Sequence, residues 1–212
     1  MTEGNARFEG RRIGGLIIAA TAGAIVLMFH HPTSINGVDD GLLLHDWSNA
    51  LVHSTMMVCL FTLMFAFAVF ARRLGGEHLA VRAGAMAFSS GMTAFIAASF
   101  INGFVVGGLH AALIDPAGAA SQYTMLAVLN QKLALLGITL TSVAMALWAL
   151  RLVQLDGLTK MAGGLGIAMA LLAGYWLLTG GGAFGLYSAT VSVFTFSIWS
   201  LILATQLIKG RL

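Results

Sequence analysis

Charge is what this sequence has least of. Asp, Glu, Lys and Arg together make up 9% of its 212 residues, while 58% are hydrophobic; a soluble domain carries about 25% charged residues. A soluble fold this apolar could not cover its own surface, so the soluble classes are excluded. Cysteine occurs once, as Cys59 inside an apolar run, which excludes a disulfide framework and any zinc site built on paired cysteines. Proline occurs twice, as Pro32 and Pro116, each between apolar runs. No span is broken by proline, and the two three-helix halves show no internal similarity, which argues against a typical secondary transporter. Two motifs are also missing: no His-Glu-x-x-His on a helix, and no Gly-x-Ser-x-Gly elbow for a serine hydrolase.

What is present is a series of six apolar runs, near residues 13–30, 47–71, 82–108, 127–151, 159–179 and 184–208. Each suits the roughly 20 residues that a helix needs to cross the hydrocarbon core. The fold class expected is all-α, a single domain over residues 1–212 forming an integral membrane bundle of six transmembrane helices. The polar residues Met1 to Arg12 precede the first run, which ends at Phe29-His30-His31-Pro32 without a small-residue cleavage pattern; it reads as a retained span. Thr179-Gly180-Gly181-Gly182 between the fifth and sixth runs reads as a tight turn.

The cations fix a direction. Arg7, Arg11, Arg12, Arg72, Arg73, Arg82, Arg151, Lys160, Lys209 and Arg211 all fall on one side of the alternating spans, and only Lys132 falls toward the other. The positive-inside rule then puts both termini in the cytoplasm, N-in and C-in. The net charge of +3 is thereby a matter of topology, since these cations are scattered singly and form no patch for nucleic acid. The expected location is a bacterial inner (plasma) membrane. Partners expected are the lipid bilayer and another membrane protein or a second copy of the chain.

The opposite side collects His30, His31, Asp39, Asp40, His45, Asp46, His53, His110 and Asp115, leaving only His78 among the histidines on the cytoplasmic side. On the second span Asp46, Asn49 and His53 lie at i, i+3 and i+7, one helical face, which Met56 and Met57 continue inward. On the third span Ser99, Asn102 and His110 lie at i, i+3 and i+11, again one face. The fourth adds Asn130, Gln131 and Lys132 near its outer end, with Asn130, Gly137 and Thr141 aligned, and the sixth adds Ser188, Ser192 and Thr195. Polar groups in hydrocarbon must find partners, so an outward-opening polar pocket among spans 2, 3, 4 and 6 is expected. The plainer reading of the same groups is interhelical hydrogen bonding that only fixes packing. Small residues at four-residue spacing, Gly15, Ala19 and Gly23 on the first span and Gly166, Ala170 and Gly174 on the fifth, read as close helix contacts.

Three chemistries fit the pocket's residues to different degrees. Zinc or copper is one: His30, His31, His45 and His53 are the candidate ligands, the nearby aspartates would hold the rings, and Met28, Met56 and Met57 would suit copper. The spacings match no zinc signature, however, and the same residues also read as a solvated outer loop. Haem fits less well, because His53 lies about two turns inside its span while His110 is at the end of its own. Adjacent His53 and Ser54 point about 100° apart and cannot act as base and nucleophile. No reaction is legible, so whether the chain is an enzyme stays open.

The segments Arg12-Ile13-Gly14-Gly15, Ala71-Arg72-Arg73-Leu74-Gly75, Ile101-Asn102-Gly103-Phe104-Val105 and Leu129-Asn130-Gln131-Lys132-Leu133-Ala134 together resemble uncharacterised bacterial six-span proteins grouped as the domain of unknown function DUF4386. That resemblance implies a six-helix membrane fold and no particular activity. The expectation is therefore a six-span protein whose pocket binds a small ligand or a transition metal. His53 and His110 stand at its centre, Asp46, Asn49 and Asn102 orient them, Asn130 and Gln131 line it, and Lys132 neutralises a bound anion or carboxylate. The alternatives are a non-catalytic accessory or structural subunit of a membrane complex, and a small-solute transporter.

Overall fold

The computed structural model describes residues 3–29, 47–106, 108–109, 120–178 and 186–212. Six long helices carry nearly all of them: α1 (Glu3–Phe29), α2 (Trp47–Arg73), α3 (Leu79–Phe100), α4 (Ala120–Leu152), α5 (Gly157–Leu178) and α6 (Leu186–Ile208). α3 runs on into a π-helical turn, Ile101–Val105. Each helix holds a stretch long and apolar enough to cross a bilayer. In lipid the backbone has no water to bond, so a chain that enters it must satisfy its N–H and C=O groups within each helix. The outward faces show the same logic, with Val58, Phe61, Phe65, Met86 and Leu171 all more than half exposed. Such residues are suited to hydrocarbon rather than water.

Two helices outrun the apolar runs. α1 starts at Glu3 rather than at residue 13, because its polar first turns continue the helix beyond the apolar run. There Arg12 lies over the Phe8 ring at 4.1 Å, and Glu9 pairs with Arg73 at 3.7 Å. α4 begins at Ala120 rather than 127 and has 33 residues, about 50 Å at 1.5 Å per residue. Its added turns are held by Tyr123, which packs with Val106 and, at its edge, with Ile101, Leu109 and Leu126.

Each helix packs on its sequence neighbours, and α1 closes the ring against α6. The basic ends of α1, α2 and α6 are tied together by Arg73, whose Nη2 donates to the backbone oxygen of Leu212 at 2.8 Å in addition to its contact with Glu9. The reversal between α2 and α3 turns on Gly75, whose φ of +111° is closed to residues with a Cβ. The connections on the opposite side, which include Gly180, Gly181 and Gly182, lie outside the described residues.

Of the small-residue stripe on α1, Gly23 does make a close contact, a Cβ there lying 3.0 Å from Cys59 Sγ on α2, but the other two positions do not. Gly15 and Ala19 are exposed, and a Cβ on Gly15 would meet nothing within 4 Å. The close approach is made one residue earlier: a Cβ on Gly14 would lie 2.6 Å from the carbonyl oxygen of Ala204 on α6. Four-residue spacing identifies a stripe, but only the partner helix decides which of two adjacent glycines faces it. Gly14→Val should therefore destabilise the bundle by about 1–3 kcal/mol through overpacking, whereas Gly15→Val should leave its thermal midpoint in detergent nearly unchanged.

The bundle is solid on its basic side. Phe67 and Phe70 of α2, Phe88 of α3, Trp148 of α4 and Trp199 of α6 are each at most 1% exposed. Trp148 and Trp199 stack at 6.0 Å with an interplanar angle of 2°, Phe67 stacks on both, and Phe70 meets both edge-on. Offset stacks and edge-on contacts are the arrangements that aromatic quadrupoles favour. The Trp148 indole N–H donates to the carbonyl of Val81 at 3.1 Å.

Candidate functional site

Beyond the aromatic layer, toward the side poor in cations, the ring is hollow. A cavity of about 250 Å³ is lined by residues from all six helices and from the π turn. The expected wall was polar and came from four helices; the wall found is mostly apolar. Met56, Leu63, Met92, Phe95, Met145 and Phe196 form much of it. Sequence reasoning counted the polar members of each helix face, but in lipid the large apolar side chains between them can line an interior as readily as an exterior. α1 and α5 enter through Thr21, Ala24, Met28 and Met169.

Heights above the aromatic layer follow from the helical rise of about 1.5 Å per residue. His53 lies about 21 Å above Phe67 on α2, and Asn102 about 21 Å above Phe88 on α3. Asn130 stands about one turn farther out, about 27 Å above Trp148 on α4. Residues His53, Asn102 and Asn130, read from three separate sequence stripes, thus line the outer part of one cavity. His53 is 3% exposed.

The contact that seats His53 is with Gly103. A Cβ built on Gly103 would lie 2.5 Å from the His53 Cβ, so the π turn and α2 approach until only a hydrogen atom fits between them. The π turn is the local reason. One wide turn, Ile101–Val105, interrupts the regular ladder and places Asn102 and Gly103 against α2; single π turns inside α-helices recur at functional sites. The turn departs from 3.6 residues per turn, so the spacing rule that put Ser99 and Asn102 on one face applies only up to it. Ser99 and Asn102, before or within it, do share the cavity wall.

The other predicted residues fall elsewhere. Gln131 and Lys132 are exposed and are not part of the cavity wall. His30, His31, His45, Asp46 and His110 lie outside the described residues, as does the side chain of Asn49. Of the proposed metal ligands only His53 can be placed, and no group of three or more His, Cys, Asp or Glu side chains gathers among the described residues. The expectation of a histidine-rich metal centre therefore has no support in the described part of the chain. Met28 and Met56 do line the cavity with His53.

Three lining hydroxyls stand out, of which Ser192 was expected in the wall and Thr21 and Ser142 were not. Thr21 Oγ1, Ser142 Oγ and Ser192 Oγ are buried and have no hydrogen-bond partner among the described residues. The only sequence signal was their position on a face shared with other small or polar residues. Thr195, assigned to the same polar set as Ser192, instead donates to its own helix at Val191 O, 2.8 Å away.

Fold and cavity together define a six-span α-helical membrane protein with a hollow half large enough for a small molecule. Compared with family models, curated proteins and solved structures, the chain matches none.

Proposed function

We propose that this protein binds a small, largely apolar molecule inside the membrane and orients it through His53, Asn102 and Asn130. The observation that carries the reading is the convergence of those three side chains from three helices on the wall of one apolar cavity. An apolar enclosure with a few placed polar groups is the usual construction of a small-molecule site, the apolar wall giving affinity and the polar groups orientation. The π turn that brings Asn102 and Gly103 against α2 supports a site over mere packing, because a packing contact needs no break in the helix. The basic end faces the cytoplasm by the positive-inside rule, so the cavity lies in the outer half of a bacterial plasma membrane.

The test uses 1-octanol as the probe, titrated calorimetrically into protein in lipid nanodiscs with empty nanodiscs subtracted. Saturable binding to the wild type is expected, weakened about tenfold by His53→Ala, the scale of one buried hydrogen bond at its upper range. Uptake no greater than that of empty discs would sink the reading. Elemental analysis of the same samples tests the transition-metal form of the site. Stoichiometric copper or zinc lost in His53→Ala would favour a His53, Met28 and Met56 centre over an organic ligand.

A further inference from the structure

We propose that the cavity has a second, inner polar tier formed by Ser142, Ser192 and Thr21, and that its ligand is an elongated apolar molecule with a hydroxyl or carbonyl group at each end. The inner tier rests on the reading of the cavity as a ligand site and specifies what that ligand is.

A contrast within the protein itself points to it. Hydroxyls on membrane helices usually return their hydrogen to the carbonyl one turn back. Ser54, Thr62, Thr93, Thr139, Thr141 and Thr195 all do so, at 2.6 to 2.9 Å. Thr21, Ser142 and Ser192 do not, although they are 1%, 1% and 3% exposed. All three line the cavity, from α1, α4 and α6. A buried hydroxyl with no partner loses about 1–3 kcal/mol, a loss that the local return bond would avoid. Three such hydroxyls around one void form a place that lacks its occupant's polar group.

Their depth sets the ligand's length. Ser142 lies about 9 Å above Trp148 on α4, and Ser192 about 10 Å above Trp199 on α6. Gly14 packs on Ala204; by the same rise, Thr21, seven residues farther along α1, comes about 3 Å above the Trp199 level, about 6 Å nearer the layer than the two serines, which therefore set the height of the tier. The outer tier of His53 and Asn102 stands about 21 Å above the layer, so the two tiers are about 11 Å apart. Between them the wall is mostly apolar, with Met56, Leu60, Phe95 and Ile138, and Ser99, about 16.5 Å above the layer, is the hydroxyl among them. The other unpartnered interior groups, Trp199 Nε1, Ser200 Oγ and Gln206 Nε2, line no part of the cavity, and single waters are their ordinary partners.

The experiment compares 1,8-octanediol with 1-octanol on the nanodisc protein, wild type against Ser142→Ala/Ser192→Ala. The diol is the less hydrophobic of the two, so on an apolar wall alone it binds more weakly. Here it is expected to bind the wild type at least as tightly as octanol and to lose about tenfold in the double variant, where two hydrogen bonds are missing. Octanol, whose single hydroxyl can bond the outer tier instead, is expected to lose less than the diol, and a thermal midpoint in detergent close to that of the wild type shows that the variant is folded. Weaker binding of the diol to wild type, or a diol affinity indifferent to the double variant, would overturn the inner tier and leave a water there instead. Failure of both alcohols to bind saturably would remove the ligand reading itself, and the inner tier with it.

Discussion

Trp148→Ala is expected to destabilise the protein by about 3–5 kcal/mol, the range for emptying a large buried aromatic site. Few places in the chain are so tightly fixed. The indole is fully buried, stacks on Trp199 and Phe67, and packs against Phe70 edge-on and Phe88 at a tilt. Gly84 yields the space it fills, since a Cβ there would come 2.7 Å from the indole nitrogen. Two contributions can be separated. Trp148→Phe keeps an aromatic ring in the layer and removes the donor to Val81, so about 1–3 kcal/mol should be lost, with the remainder appearing only in the alanine variant. Unfolding by SDS titration in mixed micelles measures both. An alanine variant within about 0.5 kcal/mol of wild type, the scale of a surface change, would mean that the layer does not hold the helices together.

The second large effect is expected at Gly103, and it should fall on binding more than on stability. Any side chain there enters the volume of His53 Cβ and Cγ, at 2.5 and 3.0 Å from the new atom. Cβ belongs to the backbone-fixed part of His53, so the imidazole cannot simply swing aside. Either the π turn moves away from α2 or His53 leaves its position; both dismantle the outer tier. Gly103→Leu should abolish octanol binding in the nanodisc titration, a loss well beyond the tenfold expected of His53→Ala, while overpacking removes about 1–3 kcal/mol of stability. Gly103→Ala, with one carbon, should fall between. Undiminished octanol affinity in Gly103→Leu would show that the imidazole takes no part in holding the probe.

The fold was legible because its determinants are local. Apolar length gave six spans, and the number and extent of the helices needed no knowledge of which side chains meet. Helix faces were legible too, as far as α geometry holds: Ser99 with Asn102, and Asn130 with Thr141, do share the cavity wall. Reasoning failed where a property belongs to two helices at once. Gly14 and Gly15 are equivalent until α6 selects one, and the stack of Phe67, Trp148 and Trp199 joins three helices whose sequences carry no sign of one another. The π turn was not legible either, because Ile101-Asn102-Gly103-Phe104-Val105 has no composition that separates it from α-helix. The polar character given to the pocket overweighted the residues that stood out. Methionines, phenylalanines and aliphatic residues on the same faces, unremarkable in a sequence this apolar, supply most of the wall.

The two halves of the bundle differ mechanically. α1, α2 and α6 are pinned at the basic end through Arg73, and α2, α3, α4 and α6 are pinned again at the aromatic layer. A helix fixed at those points can only tilt about them, and the displacement of its free end grows in proportion to its length beyond the pivot. α4 extends 28 residues past Trp148, from Leu147 out to Ala120, about 42 Å of lever, and the contact of Tyr123 with Val106 near its outer end restrains it where that leverage is longest.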